Sequence, residues 1–118
     1  MTPALSVSDR RPVWIALSEL WLDAERSAAD LDRIAGVLRA SPYSLEEIDA
    51  IHWEEVAPVV WVNALSVAGV WDAFDADWLA ERCARAADRR GRWKERLVSR
   101  ALRAWGHAEY DAVRERLR

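Results

Sequence analysis

The chain has one cysteine, four glycines, four prolines, one phenylalanine and, at Lys94, one lysine. With a single thiol at Cys83 no intramolecular disulfide can form, so the core has to hold without a covalent staple, which suits a reducing, cytoplasmic setting. Few turn residues and almost no apolar/polar alternation leave little room for a sheet. The N-terminus lacks a basic stretch followed by an apolar one, so no secretory signal is expected. The longest uncharged run, Val56 to Trp71, is too short for a bilayer. It contains Pro58, Asn63 and Gly69 and has acidic flanks, so it reads as buried core and no membrane partner is expected.

Reactive constellations are also scarce. There is no Gly-x-Ser-x-Gly, no phosphate-cradling glycine loop and no His-Glu-x-x-His, so no catalytic residue, metal ligand set or cofactor is assigned. Cys83 sits on an apolar helix face and reads as an inert buried thiol. One helical pattern, Asp49-x-x-His52-x-x-Glu55, places a carboxylate on either side of an imidazole. This is the only footing for a metal-dependent enzyme, and it lacks the matching motif on a second helix that such bundle sites use. The expected role of His52 is that of a hydrogen-bonded core residue between Ile48 and Val56.

What the chain does have is helical spacing. With 118 residues, 52% of them hydrophobic and 31% charged, one folded domain over 1–118 is expected, with residues 1–9 as a flexible tail. Ser8 or Asp9 can cap a first helix that has Pro12 in its opening turn and runs to about Asp23, with Val13, Leu17, Leu20 and Trp21 on one face. Ser27 opens a second helix carrying Leu31, Ile34, Ala35 and Leu38. Ser44 and Glu47 form a capping box for a third, which runs to about Val56. Beyond Ala57 the pattern blurs, and a short buried helix after Pro58 is expected. Asp75 or Asp77 caps the next helix, which yields near Gly91. Another runs from about Arg92 to Trp105 and stops at Gly106, and a weak last helix covers Ala108 to Leu117. The expected fold is therefore all-α, a compact single-domain array of five or six helices around a central N-terminal helix.

Charge divides unevenly. Up to Glu81 there are fifteen carboxylates and five arginines; from Arg82 onward there are twelve basic residues and five acids. Eight tryptophans are a heavy load for this length. Periodicity assigns Trp14, Trp21, Trp78 and Trp93 to the core and leaves Trp53, Trp61 and Trp71 for an interface. Together these features suggest a protein-interaction module of immunity or adaptor type. Its acidic, Trp-rich face would be Trp53, Glu54, Glu55, Trp61, Trp71, Asp72 and Asp75, docking a basic protein partner. The alternative is nucleic-acid binding through a basic stripe that Arg82, Arg85, Arg89, Arg92, Arg96, Arg100 and Arg103 form if one helix runs on and that a break at Gly91 would split, set against an apolar row of Leu79, Cys83, Ala86, Trp93, Leu97 and Ala101. The overall acidity of the chain, pI ≈ 5.4, weighs against that alternative.

Five segments carry a family resemblance: residues 11–23 (RPVWIALSELWLD), 41–48 (SPYSLEEI), 55–59 (EVAPV), 65–69 (LSVAG) and 74–79 (FDADWL). They resemble a family of small bacterial proteins known only as a domain of unknown function. The resemblance covers roughly residues 10–80. It implies a bacterial origin and supplies no activity or ligand.

Overall fold

The computed structural model describes residues 6–22, 25–65, 73–89 and 92–118. Its first helix, α1, spans Val7–Ser18 and tightens into a 3₁₀ turn at Glu19–Trp21. The cap is Ser6, whose hydroxyl accepts from the Asp9 backbone N–H, so the helix starts earlier than the Ser8 or Asp9 cap expected from Pro12. Pro12 therefore lies inside the helix, where it takes away one backbone donor. The early start holds Arg10 within the helix and in the protein interior.

The capping boxes act where the sequence puts them. Ser27 with Asp30 opens α2 (Ala28–Ala40), and Ser44 with Glu47 opens α3 (Leu45–Ile51). In each box the reciprocal hydrogen bonds with serine hold the carboxylate below its ordinary pKa.

α3 does not end at Val56. It passes through a π turn at His52–Val56, where the Ala57 N–H reaches back five residues to the His52 carbonyl, and continues as α4 (Ala57–Leu65). A proline inside a helix clashes with the carbonyl four residues earlier, and the widened turn just ahead of Pro58 gives that carbonyl room. The result is one long rod in place of a third helix and a separate short one. Four of the five residues in the wide turn, His52, Trp53, Glu55 and Val56, are buried.

α5 (Ala76–Asp88) is capped by Asp75, which accepts from Trp78 N–H at 2.8 Å. α6 (Trp93–Trp105) ends at Gly106, whose φ of +88° suits a residue without Cβ, and α7 (Ala108–Leu117) follows. All described elements are helical. The core draws Val13, Trp14 and Leu17 from α1, Ile34 and Leu38 from α2, and Ile51, Val56 and Val60 from the rod. Leu79 and Cys83 of α5 and Tyr110 and Val113 of α7 complete it. α1 packs against α2, α5 and the π turn, so the N-terminal helix shares the centre of the fold with the rod. The radius of gyration, 13.3 Å, is what one compact domain of this length should have, about 13.5 Å.

Burial pushes the Cys83 thiol upward in pKa and Glu55 adds to the shift, so this cysteine stays a protonated core residue. No described helix is long and apolar enough to cross a membrane.

Candidate functional site

The wide turn at His52–Val56 buries His52 and Glu55, and each meets a different partner. Glu55 is fully buried and accepts from Arg10 Nε at 3.2 Å and from Trp14 Nε1 at 2.8 Å. Arg10 in turn donates to the Tyr43 hydroxyl and lies 5.1 Å from the centre of that ring. One turn earlier, Asp49 accepts from the Tyr110 hydroxyl and from Nε and Nη2 of Arg114, the last two at 3.1 to 3.2 Å. Burial, then the hydrogen bond to Asp49, raises the Tyr110 hydroxyl above its ordinary pKa.

Between these two carboxylates lies a pair of imidazoles. His107 Nε2 is 3.0 Å from the Leu20 carbonyl, so it must carry the proton and donate. Its Nδ1 is then the acceptor for His52 Nε2, 3.4 Å away. That arrangement leaves His52 Nδ1 as a bare lone pair, buried and with no hydrogen-bond partner among the described residues. Tyr110 stacks flat on His52 at 3.8 Å, and Trp21 lies 4.2 Å from His107. Burial holds both imidazoles below their ordinary pKa, strongly so for His52, where His107 adds to the effect.

The Asp49, His52, Glu55 pattern therefore does not converge. Its three side chains are committed to Arg114 with Tyr110, to His107, and to Arg10 with Trp14. No group of three candidate metal ligands occurs among the described residues. His52 has the core role expected of it. Its partner His107, at the cap of α7, gave no local signal in the sequence.

Nor do the described residues form the expected acidic, Trp-rich face. Trp53 is buried, edge-on to His52 at 4.6 Å, and Glu55 is fully buried in the core. Glu54 is half-buried beside them. The exposed Asp75 spends a carboxylate oxygen on the α5 cap. Trp71 and Asp72 lie outside the described residues. Trp61, of the same set, lines a cavity.

That cavity is a groove of ≈ 350 Å³ between α4, α5 and α6. Pro58, Val59 and Trp61 form one wall, and Trp78, Ala86 and Val98 supply further apolar surface. Arg82, Arg85, Arg89 and Lys94 supply four cations and Glu95 one carboxylate. Trp78 was expected in the core. Instead it is 39% exposed, stacked on Phe74 at 6.1 Å with the Arg82 guanidinium 5.7 Å from its ring. Arg85 is shared with Glu81, one helical turn earlier, at 2.8 Å.

All seven arginines of the basic stripe are exposed, but α5 and α6 are separate helices and the stripe is divided. Arg82, Arg85 and Arg89 border the groove, Arg92 caps α6, and Arg96, Arg100 and Arg103 run along α6 away from it. The apolar row divides too. Leu79 and Cys83 are buried, whereas Trp93, Leu97 and Ala101 are exposed, because α6 turns Ser99 and Leu102 inward.

No curated protein and no solved structure matches the chain. The model of one family, the domain of unknown function DUF7079, matches residues 8–116, so the kinship extends through the basic C-terminal part, and the chain belongs to that family.

Proposed function

We propose that this protein is a protein-interaction module whose docking site is the groove between α4, α5 and α6. The single observation behind this reading is that Trp61, Trp78 and Val98 line the same cleft as Arg82, Arg89 and Lys94. Interface hot spots combine an apolar pocket with aromatic and arginine side chains in this way. The volume suits one or two anchoring side chains of a partner. The cations fix the sign of that partner: a segment with an apolar anchor flanked by carboxylates, steered in by the basic rim. An adaptor or immunity role thus rests on an acidic partner and the basic groove, not on a basic partner and an acidic face.

The test is a cross-linked capture from the native host with wild type and with an Arg82→Glu/Arg89→Glu/Lys94→Glu variant. The partner's cross-linked segment is then synthesised and titrated by calorimetry. An acidic segment that binds wild type and loses at least about tenfold on the variant supports the reading. A segment bound equally by both refutes it.

A second reading, single-stranded nucleic acid, draws on the rise of about 1.5 Å per residue, which sets Arg82, Arg85 and Arg89 some 4.5 to 6 Å apart along α5, beside a stacking platform at Trp78. A gel shift with a single-stranded oligonucleotide that weakens steeply with salt would favour it over the protein partner.

A further inference from the structure

We infer that the outer face of α6 is a contact surface for an anionic lipid membrane, with the helix lying in the plane of the headgroups. α6 buries only Ser99 and Leu102. Trp93, Leu97 and Trp105 are 68%, 54% and 69% exposed, the largest such cluster on any described helix. At 3.6 residues per turn these three, with the exposed Ala101 and Ala104, fall within an arc of about 120° turned away from the buried side. Arg96, Arg100 and Arg103 form the adjoining arc. The one carboxylate of α6, Glu95, lines the groove and leaves the outer face without an acid.

Three physical arguments select the occupant. First, the charge: an apolar strip that carries the Lys94 ammonium and is flanked on one side by the guanidiniums of Arg96, Arg100 and Arg103 matches a surface that is apolar beneath and phosphate-rich above. Second, the shape: the outer face of a helix is a convex ridge, and the cavity between α4, α5 and α6 lies to one side of it, so a protein partner finds no pocket for its anchors there. A fluid headgroup layer moulds to a ridge and needs no pocket. Third, the ends: Trp93 and Trp105 stand about 18 Å apart along the helix, and indole rings settle at the boundary between headgroup and acyl chain. An antiparallel two-fold pairing of this face with a second copy of the chain sets its arginine arc against the same arc, which disfavours that occupant. The inference does not depend on the groove.

The test is flotation of the full chain with vesicles of phosphatidylcholine, with and without phosphatidylglycerol. Binding is expected to the mixed vesicles and not to phosphatidylcholine alone. About 1 M NaCl, where charges are screened within about 3 Å, should release it. Trp93→Ser/Trp105→Ser should abolish binding while the melting temperature stays put, because both side chains are largely in water. Each Arg→Ala change at 96, 100 and 103 should weaken binding about fivefold. The inference is overturned by the absence of vesicle binding, by equal binding to neutral vesicles, or by binding that survives the double tryptophan change. It is equally overturned by a concentration-dependent dimer in light scattering that the same double change dissolves, which would make a second copy the occupant.

Discussion

Replacing Arg10 by methionine keeps most of the side-chain volume and removes the guanidinium that Nε brings to Glu55, a carboxylate with no solvent exposure. Breaking a buried ion pair from one side costs about 3 to 5 kcal/mol, because the remaining charge has been desolvated and loses its compensation. The loss of the Arg10 bond to Tyr43 adds little, since that hydroxyl is only partly buried and water can replace the donor. For a domain of this size the change corresponds to a fall in melting temperature of about 12 to 20 °C. The decisive variant is the double, Arg10→Met with Glu55→Gln. Glutamine removes the buried charge but keeps a carbonyl oxygen for Trp14 Nε1, which donates to Glu55 at 2.8 Å. The double variant should recover about 2 kcal/mol or more relative to Arg10→Met alone, since a neutral pair carries no charge to desolvate. Urea unfolding followed by tryptophan fluorescence, with m-values held equal, measures both. A single-variant loss below about 1 kcal/mol, or a double variant whose losses simply add, would refute the claim that this carboxylate depends on its cation.

Two further outcomes follow from the same core and a third from the turn between α6 and α7. Both imidazoles are held below their ordinary value of 6.5 in the native chain, so the unfolded chain binds more protons as the pH drops. Their contribution is complete above that value and is lost below it, at up to about 1.4 kcal/mol per pH unit for each group. Urea midpoints should fall between pH 7.5 and 5.5 (roughly the imidazole window), and less steeply for His52→Phe. Tyr110→Phe takes the hydroxyl from Asp49 and should cost about 2 kcal/mol by the same assay; an unchanged midpoint would mean that Arg114 alone satisfies the carboxylate. Gly106→Ala meets no steric obstacle, since nothing lies within 4 Å of the new Cβ, but it forces a side chain onto a φ of +88°. It should cost about 1 to 3 kcal/mol, read by calorimetric melting, and a neutral result would show that the α6–α7 turn relaxes freely.

The starts of α2, α3 and α5 were legible because Ser27, Ser44 and Asp75 act within three residues of their own backbone, and so was Gly106 as a stop. α1 was placed late because Pro12 suits a first turn so well that it masked Ser6. The blur after Ala57 has a mechanical cause: the π turn inserts one residue into the helical count, so a plain helical wheel is about 100° out of phase beyond it. Trp78 and Trp93 were misassigned because periodicity identifies an apolar face without saying what covers it. The pairs that matter most in the core, Arg10 with Glu55, Tyr110 and Arg114 with Asp49, and His107 with His52, are separated by 45 to 65 residues, and no local pattern announces a contact at that range.

A helix that swells at one turn to house a surplus residue leaves the course of the chain on either side undisturbed. Shortening the chain by one position between His52 and Val56 would keep the phase of Trp61 but return Pro58 to its clash with the carbonyl four residues earlier. The same deletion would disturb the interior, since His52, Trp53, Glu55 and Val56 are all buried in that turn. The wall of the groove and the polar heart of the fold therefore draw on the same rod and are tied together at its one wide turn.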